Sequence, residues 1–213
     1  RQRHLTIPCE MCIRDSKQVV RKRADARAIE MNPAVRLYLI EVEEPDMHKP
    51  SSDLERVYTA LAAQWGIENV TCGLDIVQQL QKVLRKGEWK ITCAVHHRLP
   101  GDAPRIIAIW PGFHDQAYGL AVDVGSTTIA AHLSSLATGE VVASSGLMNP
   151  QIRFGEDLMS RVSYVMMNPG GEAEMTAAVR EALNTLAAQV AAEAKIEVTD
   201  ILDIVLVGNP VMH

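Results

Sequence analysis

The stretch of the chain that decides its fold is GLAVDVGSTT, residues 119–128. Its first half is apolar, Gly125 and Ser126 interrupt it, and Thr127 and Thr128 then begin a second run that favours β-structure. The pattern predicts a strand, a tight turn and a second strand paired with the first. It is neither the glycine-rich strand–turn–helix of a dinucleotide-binding fold nor a Walker loop, which needs Gly-Lys-Ser/Thr.

The tip of this hairpin has the residue types that suit a metal–triphosphate ligand. Asp123 ends the first strand and puts a carboxylate at the sheet edge, where it can hold a hydrated Mg²⁺. Gly125 lets the backbone turn tightly and approach a ligand closely. The backbone N–H groups that follow, with the hydroxyls of Ser126, Thr127 and Thr128, form a concave donor set suited to phosphate. On these residues alone, an ordinary hairpin turn remains the alternative.

The residues after the hairpin predict the rest of an α/β unit. Strands are expected at 118–124, 128–133 and 140–144, followed by a helix that contains Leu158. A long amphipathic helix comes next, with a buried stripe at Met175, Val179, Leu183, Leu186 and Val190. The apolar run at 202–207 predicts a buried fourth strand that pairs in parallel.

The residues before the hairpin predict a separate, smaller α/β unit over residues 34–112. A strand begins near Arg36, and Ser52 with Glu55 forms a capping box that starts a helix ending at Gly66. A second helix ends at Gly87, and two strands follow at 89–95 and 105–110. Together the two units predict the α/β fold class.

Composition excludes several classes of protein. The 213 residues are 47% hydrophobic and 22% charged, as in average globular proteins. A net charge of −5 argues against nucleic-acid binding, and no apolar run reaches the ~18 residues of a membrane span. Four cysteines are too few for a disulfide scaffold, and no secretory signal opens the chain. We therefore expect a cytoplasmic protein with no nucleic-acid or membrane partner.

The first 33 residues share no periodicity with the rest. Cys9 and Cys12 have the spacing of zinc and iron–sulfur sites, but no second pair matches them. We interpret residues 1–16 as an artefactual or disordered start, with a reduced tail or a metal site as alternatives. Residues 17–33 are rich in Lys and Arg and are interpreted as a basic linker. Because the chain lacks an initial methionine and stops just after an apolar strand, we expect it to be a segment of a longer protein.

Three groups of residues outside the hairpin are expected to be structural. Arg153 and Arg161 are interpreted as exposed surface pairs, with contacts to phosphate or a partner protein as the alternative. Cys72 and Cys93 are interpreted as small buried hydrophobes. Adaptable core positions are expected for the methionines of the second unit, namely Met148, Met159, Met166, Met167 and Met175.

The hairpin resembles the first phosphate loop of the superfamily of sugar kinases, heat-shock chaperones and actin. Two further stretches, NPQIRFGEDLMSR at 149–161 and VGNPVMH at 207–213, resemble the reductive activators of corrinoid proteins, which are iron–sulfur ATPases. Residues 18–25 and 43–46 also fit that family. The resemblance implies a middle domain over 34–112. It also implies the first, truncated part of an actin-like (ribonuclease H-like, or ASKHA) ATPase domain over 113–213.

The resemblance also implies a function. ATP hydrolysis would drive an unfavourable one-electron transfer that restores cob(I)alamin in a corrinoid methyl-carrier protein. Asp123 would serve Mg²⁺, and Gly125 through Thr128 would hold the phosphates of ATP. Glu156 and Asp157 are candidate general bases or metal-linked acids near the nucleotide. They are equally well explained by a helix N-terminus, where acids complement the helix dipole.

Two parts of that family are not found in this sequence. A plant-type 2Fe-2S cluster needs four cysteines as Cys-x4-Cys-x2-Cys…Cys, which Cys9 and Cys12 cannot supply. The second phosphate loop and the adenosine site would lie beyond His213. We therefore expect the cluster only in the parent protein, an ATP-dependent reductase, and expect little ATP turnover from this chain alone.

Two other functions remain open on the sequence. One is a small-molecule kinase of the same superfamily, in which a carboxylate activates a substrate hydroxyl. The other is an inactive fragment. The electron donor and the formation of a homodimer are not determined by these residues.

Overall fold

A computed structural model describes residues 32–97 and 101–209 of the chain. The interpretations of residues 1–16, and of Cys9 and Cys12, lie outside the described residues. So does nearly all of the basic stretch at 17–33, together with residues 210–213 of the second family motif.

The first unit is a four-stranded sheet with two helices. Its elements are β1 (Val35–Glu41), α1 (Asp53–Trp65), β2 (Thr71–Cys72), α2 (Leu74–Lys86), β3 (Lys90–His96) and β4 (Arg105–Pro111). Strand β1 pairs antiparallel with β3, β3 pairs antiparallel with β4, and the short β2 lies parallel to β4 in the order β1-β3-β4-β2.

The ends of α1 follow from its sequence. Ser52 Oγ accepts a hydrogen bond from the Glu55 amide, and the Ser52 amide donates to the Glu55 carboxylate at 2.8 Å. Gly66 takes the left-handed conformation (φ 66°) that ends the helix. A residue with a side chain would be strained in this conformation. These caps were predicted and are confirmed. Both helices bury apolar residues such as Leu61 and Leu84 against the sheet, and each such side chain contributes about 1.5–3 kcal/mol.

The second unit has the same size of sheet and a different topology. Its strands and helices are β5 (Tyr118–Val124), β6 (Thr128–Ser135), β7 (Val141–Met148), α3 (Leu158–Met167), α4 (Gly171–Ala194) and β8 (Ile201–Gly208). Strands β5, β6 and β7 pair antiparallel in succession, and β8 lies parallel to β5 in the order β7-β6-β5-β8. The predicted hairpins, the parallel fourth strand and the α/β fold class are confirmed.

The long helix α4 packs across this sheet. Leu186 and Val190 are fully buried in one cluster with Val122 and Leu133 of the sheet. The other three predicted stripe positions, Met175, Val179 and Leu183, are only half-buried. Small alanines such as Ala182 are buried in their place on the side of α4 that faces the sheet. Within the described ranges, neither α4 nor any other helix combines the length and apolarity that crossing a membrane requires.

The predicted burial of residues 202–207 is wrong: Leu202 and Asp203 are only partly buried, and the other four residues are exposed. Ile204, Val205, Leu206 and Val207 are 50, 55, 49 and 57% exposed. Strand β8 lies at the edge of the sheet and, among the described residues, pairs with β5 alone. An apolar run is typical of a strand covered on both faces, whereas here consecutive side chains on both faces are half-exposed.

The two units are joined by a short connector, residues 112–117. Thr92 Oγ1 in β3 donates to the Gly112 carbonyl at 2.8 Å and accepts from the His114 amide at 3.0 Å. The His114 ring stacks on Trp110 with centroids 4.1 Å apart, and its Nε2 lies 3.6 Å from Asp200 Oδ1. The connector is therefore hydrogen-bonded to the first sheet and lies close to Asp200, the residue that precedes β8.

Candidate functional site

The predicted phosphate hairpin lies where two parallel strands end. Asp123 is the penultimate residue of β5 and stands opposite Val207 of β8 in the parallel register. It is exposed at the carboxyl edge of the sheet, the position at which ligands bind in open α/β sheets. The backbone turns between Val124 and Thr128, and the Gly125 amide donates to the Thr128 carbonyl at 2.9 Å.

The turn requires glycine at position 125. A Cβ added to Gly125 would lie 2.7 Å from the Thr128 carbonyl oxygen, closer than real Cβ contacts allow. The obstacle is backbone that is itself hydrogen-bonded, so a side chain here would open the hairpin. This supports the prediction of a tight turn at the motif.

Asn149 fixes the hairpin from the end of β7. Its side chain is 1% exposed, and Nδ2 donates to the Gly125 carbonyl at 2.8 Å. Its own amide donates to the Thr127 carbonyl at 2.8 Å, and Oδ1 accepts from the Gln151 amide at 2.9 Å. The last bond caps a 3₁₀ turn, Pro150–Phe154, which places the segment beside the loop.

Arg161 is not the exposed surface residue that the sequence suggested. It is 2% exposed and is the buried residue of α3. Its Nε donates to the Gly155 carbonyl at 2.9 Å, and Nη2 donates to the Ser126 carbonyl at 2.6 Å. Gly155 makes this approach feasible, because a Cβ there would lie 2.7 Å from the Arg161 amide nitrogen. Burial lowers the pKa of Arg161, and the nearby Asp157 carboxylate opposes that shift.

Asn149 and Arg161 together determine which way the loop peptides point. They accept no bond from the loop but donate to three consecutive carbonyls, those of Gly125, Ser126 and Thr127. The C=O and N–H of one trans peptide group point in opposite directions. The N–H groups of Ser126, Thr127 and Thr128 therefore face away from Asn149 and Arg161. Three successive amides that face away from their carbonyl partners fit the oxygens of a phosphate chain.

Asp157 and Glu156 precede α3 beside this loop. Asp157 is the N-cap of α3, and its Oδ1 accepts from the Ser160 amide at 2.7 Å. That hydrogen bond lowers the pKa of Asp157, assisted more weakly by the Arg161 charge. Glu156 is exposed. In the described part of the chain, the bonds that join this segment to the loop come from Asn149 and Arg161 rather than from the two carboxylates.

The described residues fit Mg²⁺–ATP better than an iron–sulfur cluster. Mg²⁺ takes one or two protein carboxylates and completes its shell with water and phosphate, so a single exposed carboxylate such as that of Asp123 would be enough to hold it. Over residues 32–97 and 101–209, no group of three or more His, Cys, Asp or Glu residues is placed to hold a metal ion by protein ligands alone. Cys93 is buried in β3, which raises its pKa to about 12, and Cys72 contacts the Tyr58 hydroxyl at 3.4 Å. These two thiols do not form a cluster site.

The methionines near the site are exposed, not buried as expected. Met148, Met159, Met166 and Met167 are 66, 69, 81 and 78% exposed. Three of them lie on α3, whose inner side is occupied by Arg161. The core of this unit is built instead from the sheet and α4.

The comparisons with known proteins cover almost the whole described chain. A family model described as the RACo linker region matches residues 24–116, and one described as the RACo middle region matches residues 118–213. The corrinoid activation enzyme RamQ of Eubacterium limosum is 33% identical over 95 residues, which is 45% of this chain and 16% of RamQ. A solved structure of a reductive activator for a corrinoid, iron–sulfur protein superposes with a TM-score of 0.74 at 28% identity. That match covers 92% of this chain and 31% of the solved one.

The fold and the hairpin define a two-sheet α/β protein of the corrinoid-activator type. The chain belongs to the RACo family, as the resemblance of its motifs predicted. It spans less than a third of the length of each of the two relatives. The two family regions divide at residue 117, inside the connector between the sheets.

Proposed function

We propose that this chain is the part of an ATP-dependent corrinoid-activating reductase that holds the phosphates of Mg²⁺–ATP. One observation carries the proposal: three successive loop carbonyls are held by Asn149 and Arg161, so three amides face the opposite side. Such a row of N–H groups binds anions without any lysine in the loop. The exposed Asp123 carboxylate beside this row supports the pairing of phosphate with Mg²⁺.

The roles of the individual residues follow from this placement. Asp123 would hold Mg²⁺ through its water shell, while Ser126, Thr127 and Thr128 donate backbone and hydroxyl hydrogens to phosphate oxygens. Glu156, exposed at the start of α3, would act as a general base or a metal-linked acid. Asp157 can share that task only through the oxygen that does not cap the helix. ATP, when bound, would supply the free energy of hydrolysis.

The activity of the whole protein is inferred from its relatives. RamQ is a corrinoid activation enzyme, and the solved relative is a reductive activator for a corrinoid, iron–sulfur protein. We infer that the parent of this chain uses ATP hydrolysis to drive one-electron reduction of a corrinoid methyl-carrier protein. The 2Fe-2S cluster would belong to another part of that parent, since the described thiols cannot hold it. Residues 34–112, which lie within the match to the RACo linker region, would form a small α/β domain of that parent. Residues 113–213, which include the match to the RACo middle region, would form the first part of its actin-like ATPase domain.

The proposal is tested by substituting Asp123. Mg²⁺–ATP should raise the thermal midpoint of the 213-residue chain, because a ligand that binds only the folded state stabilises it, by about 2.7 kcal/mol at a hundredfold excess over Kd. Asp123→Asn should remove the Mg²⁺ dependence of that shift, and in the parent protein it should abolish ATP hydrolysis. Asp203→Asn, at the other end of the sheet opposite Gly119, is the matched control and should behave as wild type.

Two results would contradict the proposal. One is a wild-type chain whose midpoint does not respond to Mg²⁺–ATP. The other is unchanged hydrolysis by the Asp123→Asn parent protein. Phosphorylation of an added small molecule, without reduction of a corrinoid protein, would instead favour the kinase alternative.

A further inference from the structure

We propose that Arg161 is the positioning residue of the phosphate loop and supplies, from behind the loop, the positive charge that attracts phosphate. The inference rests on the proposed function, because it assumes that residues 125–128 bind an anion. It concerns a residue whose side chain is directed at the loop backbone and not at the ligand.

The first step is the unusual burial of this charge. Arg161 is 2% exposed and has the largest of the fully buried side chains among the described residues. Buried arginines are normally neutralised by a carboxylate. Within the described ranges, no carboxylate lies within the 4 Å of a salt bridge to Arg161, and its hydrogen-bond acceptors are two backbone carbonyls. A guanidinium remains protonated in proteins, so Arg161 is a buried positive charge behind the loop, with the Asp157 carboxylate nearby but beyond salt-bridge distance.

The second step is that this charge is incompletely satisfied. Nη1 of Arg161 is buried and has no hydrogen-bond partner in the described part of the chain. An unpaired buried donor on a charged group is costly unless another contribution offsets it. An anion bound on the far side of the loop would offset it, because charges at buried sites are little screened by solvent.

The third step connects the charge to the phosphate side. Arg161 Nη2 donates to the carbonyl of Ser126, and the N–H of the same peptide group belongs to Thr127. A charged donor at one end of a peptide group polarises it and strengthens the hydrogen bond made at the other end. Arg161 therefore both sets the direction of the Thr127 amide and makes it a stronger donor to phosphate.

Asn149 provides the internal comparison. It holds the neighbouring carbonyls of Gly125 and Thr127 at the same 2.8 Å, but its side chain is neutral. Loss of Asn149 should disturb the geometry of the loop without changing its charge. Loss of Arg161 should change both.

The test measures binding of inorganic tripolyphosphate and of Mg²⁺–ATP to the 213-residue chain by titration calorimetry at low and higher salt. Between about 0.01 and 0.1 M, the Debye length falls from about 30 to about 10 Å, so binding that depends on charge weakens. The variants are Arg161→Gln and Arg161→Lys. The control is Arg153→Gln, which removes an exposed charge from the same segment, where Arg153 lies 4.7 Å over the Phe154 ring.

Arg161→Gln should weaken tripolyphosphate binding roughly tenfold or more and flatten its salt dependence, because charge-assisted hydrogen bonds are about twice as strong as neutral ones. Arg161→Lys should keep the salt dependence but bind several-fold more weakly, since an ammonium lacks the fork that reaches two carbonyls. Arg153→Gln should bind within about twofold of wild type, because exposed charges contribute little.

A merely structural role would lower the thermal midpoint of the unliganded variants and leave the salt dependence unchanged, which would overturn the inference. Wild-type affinity in Arg161→Lys would also overturn it, and this variant carries the test if Arg161→Gln fails to fold. If wild type binds neither ligand, the proposed function fails as well. If wild type binds both and Arg161→Gln is unaffected, only the role of Arg161 fails.

Discussion

Asn149 Nδ2 lies 2.8 Å from the carbonyl oxygen of Gly125, a residue 24 positions earlier in the chain. The bond joins the residue that follows β7 to the tip of the β5–β6 hairpin. The Asn149 side of this bond is shielded from water, since Asn149 is 1% exposed. The conformation of the loop therefore depends on a side chain outside the motif by which the loop is recognised.

This bond can be tested with Asn149→Asp. The carboxylate keeps an oxygen for the Gln151 amide but cannot donate to Gly125, and it adds a negative charge beside that carbonyl. We expect unfolding free energy to fall by about 1–3 kcal/mol in urea titrations, the cost of an unsatisfied buried group. Asn184→Asp, at an exposed position of α4, should change it by less than about 0.5 kcal/mol. Equal effects of the two substitutions would contradict the assignment.

Gly125→Ala tests the space at the turn. The new methyl group would lie 2.7 Å from the Thr128 carbonyl, so the hairpin must open at a cost of about 1–3 kcal/mol. Gly119→Ala, in the strand that leads to this turn, meets only the flexible end of Leu136 at 3.0 Å and should be tolerated better. The thermal midpoint without ligand measures the stability of each variant, and the increase on adding Mg²⁺–ATP measures its binding. If Gly125→Ala binds like wild type, the close approach at the turn is not needed.

Local sequence rules predicted the parts of the fold that local chemistry determines. The Ser52–Glu55 capping box and Gly66 gave both ends of α1, because each rests on hydrogen bonds within a few residues. The Asp123–Thr128 pattern gave the hairpin for the same reason. The parallel pairing of β8 followed from the long helical connection before it.

The errors arose where burial depends on distant parts of the chain. An arginine is usually exposed, and the carbonyl of residue 126 that accepts from Arg161 lies 35 positions away in the sequence. Gly155 was the available signal, since a glycine at that position permits a close approach to the helix. The apolar run of β8 predicts burial on both faces, but its exposure depends on which elements cover the sheet.

The N-cap of α3 gives a pH-dependent prediction. Hydrogen bonding to the Ser160 amide lowers the folded-state pKa of Asp157 below its ordinary value of 3.8. A carboxyl with a lowered pKa contributes stability above its unfolded pKa and loses it as the pH falls through the folded value. Asp157→Asn keeps an acceptor oxygen for the Ser160 amide but loses the negative charge. Its thermal unfolding midpoint should therefore lie below that of wild type near pH 6.

The difference between wild type and Asp157→Asn should shrink as the pH falls below 3.8, where the wild-type carboxyl becomes protonated. Asp157→Ser, a second neutral cap, should follow the same course. Thermal midpoints measured from pH 6 down to acid unfolding provide the check. If the difference in thermal midpoint between wild type and the two variants stays constant across that range, the charge of Asp157 does not contribute to the stability of the cap.

Cys93 should be chemically inert in the folded chain. Burial raises its pKa to about 12, so at pH 8 only about one thiol in ten thousand is ionised, and the thiolate is the reactive form. Iodoacetamide treatment followed by peptide mass spectrometry should leave Cys93 unmodified in native protein and modify it in urea. The half-exposed Cys72 is the comparison and should react faster. Rapid native labelling of Cys93 would show that β3 opens readily.

The connector between the sheets is held by several contacts along its six residues. It is hydrogen-bonded to Thr92, His114 stacks on Trp110, and the Leu136 amide donates to the Ala117 carbonyl. These contacts restrict the conformations that six residues would otherwise have. A displacement of β5 would disturb these contacts, because the connector has few residues in which to absorb it. The contacts with Thr92 and Trp110 therefore offer a short path by which movement of the hairpin would reach the first sheet.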